Sequence, residues 1–266
     1  MNYIMNLKFF LRFFCTLIPH LMLKLYMFKK GVFIVIGILL FVLFVQFSED
    51  KDSDFVSYTV NPEKESVQLF WKNDQQEIFG SIQKLKSWLS TNQKELVFAM
   101  NGGMYKKDQS PQGLFIQNGI SKSPIDTSNG NGNFYLKPNG IFYISSSKKA
   151  FVVATEDFNP NKSIEFATQS GPMLVINGAI HKAFNKNSTN LNIRNGVGIL
   201  PNNEILFAMS TKEVNFYEFA DFFKRKGCKN ALYLDGLVSR MYHPKAKWIQ
   251  TDGNFGVIIG ITKDKK

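Results

Sequence analysis

The sequence predicts an α+β fold: a strand-rich mixed sheet core with a few packed helices, preceded by an N-terminal membrane-spanning or signal helix. Three observations predict it. Short apolar or alternating runs recur from residue 55 to residue 262, with Asn- and Gly-bearing turns between them. Only two stretches of that region space their apolar residues as a helix does, and residues 31–47 form an apolar run without a charge.

Residues 1–30 are basic and apolar, carrying Lys8, Arg12, Lys24, Lys29 and Lys30 and no acid. GVFIVIGILLFVLFVQF (31–47) has no polar face and, at about 1.5 Å per residue, is slightly short of a relaxed bilayer span yet within the usual range for a membrane helix. Lys29 and Lys30 before it and Glu49, Asp50 and Asp52 after it orient the rest of the chain away from the cytoplasm. The expected location is therefore membrane-anchored with the domain outside the cytoplasm, periplasmic or extracellular, or secreted if the segment is cleaved. No A-x-A-like pair of small residues stands near 45–50, which favours the anchor. Met27 and the two lysines that follow also read as the start of a complete signal sequence, which makes residues 1–26 an extension. Residues 48–54 are polar and acidic and read as a tether; residues 55–266 are the domain.

Within the domain the strand candidates are 55–60, 66–71, 96–100, 113–117, 134–137 and 141–145, then 151–155, 172–176, 197–200, 204–210, 231–235 and 255–262. Asn139-Gly140, Asn177-Gly178 and Asn202-Asn203 supply residues that tolerate positive φ at the turns. The first helix is predicted over 81–92, where Ile82, Leu85, Trp88 and Leu89 share a face. The second spans 215–227: Asn215 caps it, Glu218 sits at the reciprocal box position, and Phe216, Phe219 and Phe223 form an apolar stripe that reads as core. Lys224, Arg225 and Lys226 suit its negative end before Gly227 stops it.

Composition removes several function classes. The formal charge is +11, but the five positives before residue 47 carry no compensating acid, leaving +6 for residues 48–266, with the lysines scattered. That pattern argues against nucleic acid as a partner and leaves acidic ligands open. Cys15 and Cys228 lie on opposite sides of the apolar run, so no disulfide framework is expected. His20, His181 and His243 are isolated, and no HExxH, CxxC, GxSxG, P-loop or GxGxxG pattern is present, so neither a metal nor another cofactor is expected.

What remains is a set of polar, glycine-flanked positions at the ends of predicted strands. They are Asn101-Gly102-Gly103, Asn131-Gly132-Asn133, Gln169-Ser170-Gly171-Pro172, Arg194-Asn195-Gly196 and Asp235-Gly236. Each alone is an ordinary turn. Five together, with one Arg and one Asp among them, point to a shared site in which glycines let a backbone approach a ligand and present its N–H groups.

The ordered set MNGGMY (100–105), GNFYLKPNGIF (132–142), QSGPMLVING (169–178), IRNGVGI (193–199) and ALYLDG (231–236) resembles the phosphodiester glycosidase family, over roughly residues 55–262. That family includes the lysosomal uncovering enzyme, which removes N-acetylglucosamine from a phosphodiester. The resemblance implies a hydrolase whose partner is a phosphorylated glycan or sugar phosphodiester. It matches Asn101, Gly102 and Gly103 to the family's NGG turn, Arg194 to the Arg before its next glycine-containing strand, and Asp235 to the Asp of its LDG motif. Where the family often reads LDGGGS this chain has LDGLVS, so Leu237 and Val238 replace two glycines while Ser239 still aligns.

The residue chemistry fits that implication in one respect. An ordinary glycosidase uses two carboxylates, and the five clusters hold only Asp235. A departing phosphomonoester, with its second pKa of about 6, needs little protonation. Asp235 is then nucleophile, base for water or stabiliser of oxocarbenium-like charge, and Arg194 a bidentate phosphate fork. Asn101, Asn133 and Ser239 are candidate hydrogen bonders to sugar or phosphate, with Ser170 and Gly171 beside them, and Tyr105 is either a sugar-stacking wall or a core tyrosine. Two other readings stay open: a non-catalytic glycan- or anion-binding envelope protein on the same fold, and a structural Arg194–Asp235 ion pair.

Overall fold

The structure, a computed structural model, describes residues 52–236 and 238–265. The expected anchor at 31–47 lies outside the described residues, as do residues 1–30 and most of the expected tether. Among the described residues no helix is long and apolar enough to cross a membrane. Of the tether, Asp52–Asp54 forms a turn, and Asp52 bridges Arg225 at 2.5 Å and Lys226 at 2.6 Å.

Among the described residues sixteen strands build three sheets. The six-stranded sheet runs in the order Phe55–Val60, Ile205–Ser210, Asn195–Ile199, Asn230–Asp235, Met173–Ile176 and Ala179–Ile180. A second sheet of five places Lys94–Asn101 between Met241–His243 and Ile258–Asp264, with Trp248–Ile249 and Ser66–Phe70 at its edges. In the third, Ile164–Ser170 is central between Phe115–Gln117 and Gly140–Ser145, with Ile120–Ser123 and Ala150–Ala154 outside them. The pairings between these strands are antiparallel, so the mixture in this fold is of strands with helices and not of strand directions.

Alternation explains how three sheets share one core. Side chains two apart along a strand face the same way, so Phe98 and Met100, Val60 and Tyr58, Phe207 and Met209, and Phe142 and Ile144 all point into a single buried cluster. Tyr58 and Phe98 stack at 4.6 Å and Phe98 and Phe207 at 5.5 Å, joining the first two sheets. Each such aromatic contributes roughly 1.5–3 kcal/mol by leaving water.

Two helices seal outer faces. Helix α1 (Ile82–Thr91) is capped by Ser81, whose Oγ accepts from Lys84 N, and it buries Ile82, Leu85 and Leu89 against Phe70, Leu96 and Ile258 of the second sheet. Helix α2 (Phe216–Arg225) begins with the reciprocal box the sequence predicts: Glu218 N donates to Asn215 Oδ1 at 2.9 Å and Asn215 N donates to Glu218 Oε2 at 3.0 Å. Its phenylalanines Phe219, Phe222 and Phe223 pack on Leu174, Leu206 and Ala231 of the first sheet, and Gly227 turns the chain at φ +88° into the strand that ends at Asp235.

Two expectations need correction, and one strand was not expected. The run 134–137 is not a strand: Asn133–Tyr135 is a 3-10 turn, entered at Gly132 with φ +93° and followed by Pro138, which has no N–H for a ladder. Asn139-Gly140 is not a positive-φ hairpin turn; Asn139 is buried with its amide donating to Phe134 O at 3.0 Å, while Gly140 opens a strand. The strand Ile164–Ser170 carries no sequence signal over its C-terminal half, where Thr168, Gln169 and Ser170 are buried although polar.

Candidate active site

The strand Asn230–Asp235 delivers the site. Its end carries Tyr233 and Asp235, on either side of the irregularity at Leu234. Asn195 pairs with Asp235 in the ladder, and Asn101, from the neighbouring sheet, is hydrogen-bonded to both. A bulge between Asn195 and Gly196 sets this end of the ladder apart from its regular remainder.

Asp235 is 8% exposed, and its carboxylate is fixed from two directions. Oδ1 accepts from Gly236 N at 2.6 Å and Oδ2 accepts from Asn101 Nδ2 at 3.3 Å. Asn101 is fully buried, and its Oδ1 accepts from Asn195 Nδ2 at 2.7 Å and from Arg240 N at 3.0 Å. Asn195 also donates to Asn101 O at 3.0 Å, and its own Oδ1 accepts from Asp235 N at 2.8 Å. The amide of Asn101 is thus engaged inside the protein, and its contact toward the site is with Asp235.

Arg194 is fully buried, with its Nη1 next to the Asp235–Gly236 turn. Its Nε donates to Val214 O at 2.8 Å, Nη2 to Asn190 O at 2.8 Å and Asn190 Oδ1 at 3.2 Å, and Nη1 to Tyr233 OH at 3.3 Å. All four acceptors are neutral oxygens. The guanidinium also stacks over Phe216, 3.7 Å from the ring centroid. Burial lowers its pKa, and Tyr233 opposes that shift. The bidentate fork expected from sequence is therefore already occupied by Val214 and Asn190, and Nη1, with Tyr233 as its partner, is the edge directed at the Asp235–Gly236 turn.

Tyr233 gathers the rest. Burial raises its hydroxyl well above the ordinary tyrosine value and the charge of Asp235 adds to this, while Arg194 and a hydrogen bond with Asn133 pull the other way. The phenol stays protonated. It also dictates Gly236: a Cβ there would lie 1.8 Å from the Tyr233 oxygen and 3.7 Å from Arg194 Nη1. Tyr105 is half-buried, with its pKa raised by burial and then by the charge of Asp235, and its hydroxyl donates to Asn254 O at 2.5 Å.

Of the sequence-predicted residues, Asp235, Arg194, Asn101, Asn133 and Tyr105 are brought around one strand end. Ser239 and Ser170 brace it: Ser239 Oγ donates to Asp235 O and Ile193 O, both at 3.2 Å, and Ser170 Oγ donates to Leu234 O at 2.9 Å. Gly102 is a packing position. Its N–H donates to Val257 O at 2.8 Å instead of facing a ligand, and a Cβ would meet Ile259 Cγ1 at 2.8 Å. Gly103 closes on Thr168 and Gly171 on Asn139, at 2.7 and 2.6 Å from an added Cβ. Asn195 stands in one of the five sequence-predicted clusters, which gave it no role of its own, and Tyr233 lies outside them although it sits inside the ALYLDG motif. Among the described residues no group of three His, Cys, Asp or Glu side chains is arranged to hold a metal ion.

The phosphodiester glycosidase family model matches residues 94–262, which includes the strand ends just described. The chain belongs to the phosphodiester glycosidase family. It is 40% identical over 187 residues to an uncharacterised Escherichia coli K12 protein, YigE, covering 70% of this chain and 73% of that one. Among solved structures it is similar to the catalytic domain of zebrafish N-acetylglucosamine-1-phosphodiester alpha-N-acetylglucosaminidase, auto-inhibited by its pro-peptide. That match has a TM-score of 0.54 at 13% identity and covers 78% of this chain and 83% of the other. A hypothetical protein from Synechocystis matches with a TM-score of 0.50 at 12% identity, over 78% of this chain and 59% of its own. These two structural likenesses carry the fold; the family rests on the sequence match.

Proposed function

We propose that this phosphodiester glycosidase cleaves the bond between an anomeric sugar carbon and the phosphate oxygen of a sugar-1-phosphodiester, releasing a phosphomonoester and a free sugar. The observation that carries the proposal is the pairing of a two-point-fixed carboxylate, Asp235, with a buried guanidinium, Arg194, whose hydrogen bonds all go to neutral oxygens. The guanidinium supplies positive potential under the Asp235–Gly236 turn, where a phosphate would rest. Asp235 faces the anomeric carbon. As that C–O bond breaks, its electron pair goes to the phosphate oxygen, and Asp235 either bonds to the carbon or takes the proton of the attacking water. The leaving phosphomonoester has a second pKa of about 6, so the absence of a second carboxylate from the five clusters is chemically consistent.

The sequence supports an exported location, through the apolar segment 31–47 and the acids after it, and the proposed substrate is accordingly a phosphorylated glycan of the cell envelope. A panel of sugar-1-phosphodiesters, N-acetylglucosamine-1-phosphodiester included, tests the reading. Turnover of at least one by the wild type, lost in Asp235→Asn with the fold intact, supports it. A protein that turns over none but binds glycan equally well before and after Asp235→Asn is a binding module instead.

A further inference from the structure

We propose that Asn195 is a positioning residue that sets the orientation and acidity of the Asp235 carboxylate; as a statement about catalysis this rests on the function proposed above. Asn195 touches Asp235 from behind, through main chain and through Asn101, and it does both with one side-chain amide. Its Oδ1 holds the Asp235 peptide N–H at 2.8 Å, which fixes where the last residue of the strand leaves the ladder. Its Nδ2 holds both Asn101 oxygens, at 3.0 and 2.7 Å.

The second contact decides the chemistry. An amide flip of Asn101 would exchange its oxygen and nitrogen. With Asn195 Nδ2 and Arg240 N both donating to Oδ1, only the unflipped form avoids two donors facing a donor. Asn101 Nδ2 is then the group that must face Asp235 Oδ2. Asn195 is itself fully buried, so a wrong orientation has no water to satisfy it. The relay Asn195 to Asn101 to Asp235 presents an N–H to the carboxylate, and such donors favour its charged form.

The measurements are made on the full-length chain. In Asn195→Ala only Arg240 N still orients the Asn101 amide, and the Asp235 carboxyl followed by 13C-detected titration is expected to move its midpoint upward, by up to about one pH unit, as the Asn101 donor is loosened. With a hydrolysed sugar-1-phosphodiester, kcat is expected to fall about 10- to 100-fold with KM changed less than about threefold, since the loss is felt at the reacting atom. The acidic limb of the pH–rate profile should move with the carboxyl. Asn195→Asp keeps an acceptor for Asp235 N but replaces the donor with a second charge, and should move the midpoint further upward.

The control is Asn230→Ala, at the other end of the same strand, where the side chain donates to Val152 O and accepts from Asn177 N, both at 2.8 Å. It loses comparable hydrogen bonds and should leave the Asp235 titration in place. An unshifted midpoint in Asn195→Ala, or the same shift in Asn230→Ala, overturns the assignment. A wild type that hydrolyses no sugar-1-phosphodiester overturns the proposed function, while the titration still decides whether Asn195 governs the carboxyl.

Discussion

The strand Asn230–Asp235 has two ends built from the same residue types for different purposes. At its start, Asn230 bonds to Asn177 N and Val152 O, and Asn177 and Gly178 form a turn with φ of +50° and +81° and nothing within 4 Å of an added Gly178 Cβ. At its finish, Asn195 and Asn101 are buried, and Gly236 is walled in by Tyr233. One end uses Asn and Gly to let the chain turn in solvent. The other uses them to bring a carboxylate, a phenol and a guanidinium together. An Asn-Gly pair in a sequence therefore says little by itself; what surrounds the glycine says which job it has.

The sharpest way to test that contrast is at the chemical end. Asp235→Asn should reduce kcat on any hydrolysed sugar phosphodiester by about 10²-fold or more while the thermal midpoint stays near that of the wild type. Next comes the turn end: Asn230→Ala removes two hydrogen bonds and should cost about 1–3 kcal/mol in denaturant unfolding, with turnover unchanged. Gly178→Ala is smaller, about 1–2 kcal/mol, because open space leaves only the strain of a Cβ at positive φ. Equal activity losses at both ends would dissolve the distinction. Smallest of all, Cys228, buried beside the turn end with its thiol pushed up to about 12, should resist alkylation at pH 8 until the protein unfolds.

Much of this architecture was legible in the chain. Helix α2 announced itself through Asn215, Glu218 and the phenylalanine spacing because caps and periodicity are local. The strand 231–235 and its Asp were equally plain. Two features were not. Ile164–Ser170 is buried between two other strands, and there Gln169 is satisfied by Leu114 N, Asp126 N and Asp126 O, partners 43 and 55 residues away that no local pattern reveals. Likewise Asn101 read as a ligand-binding amide because its buried partners, Asn195 and Asp235, lie 94 and 134 residues off. Arg194 was legible as a site residue, whereas the occupation of its fork by Asn190 and Val214 depended on a loop whose course only the fold defines.

The 1.8 Å approach of an added Gly236 Cβ to the Tyr233 hydroxyl ties positions 233 and 236 together sterically. With the tyrosine in this place, any side chain at 236 forces the phenol or the turn to shift. Trading the phenol for phenylalanine removes the worst collision, leaving ring carbon Cζ at 3.0 Å, so Gly236→Ala should be less damaging in a Tyr233→Phe background than alone. Stability measurements on the two single variants and the double variant would read out that linkage as a coupling energy. Anyone redesigning this pocket would have to change both positions together.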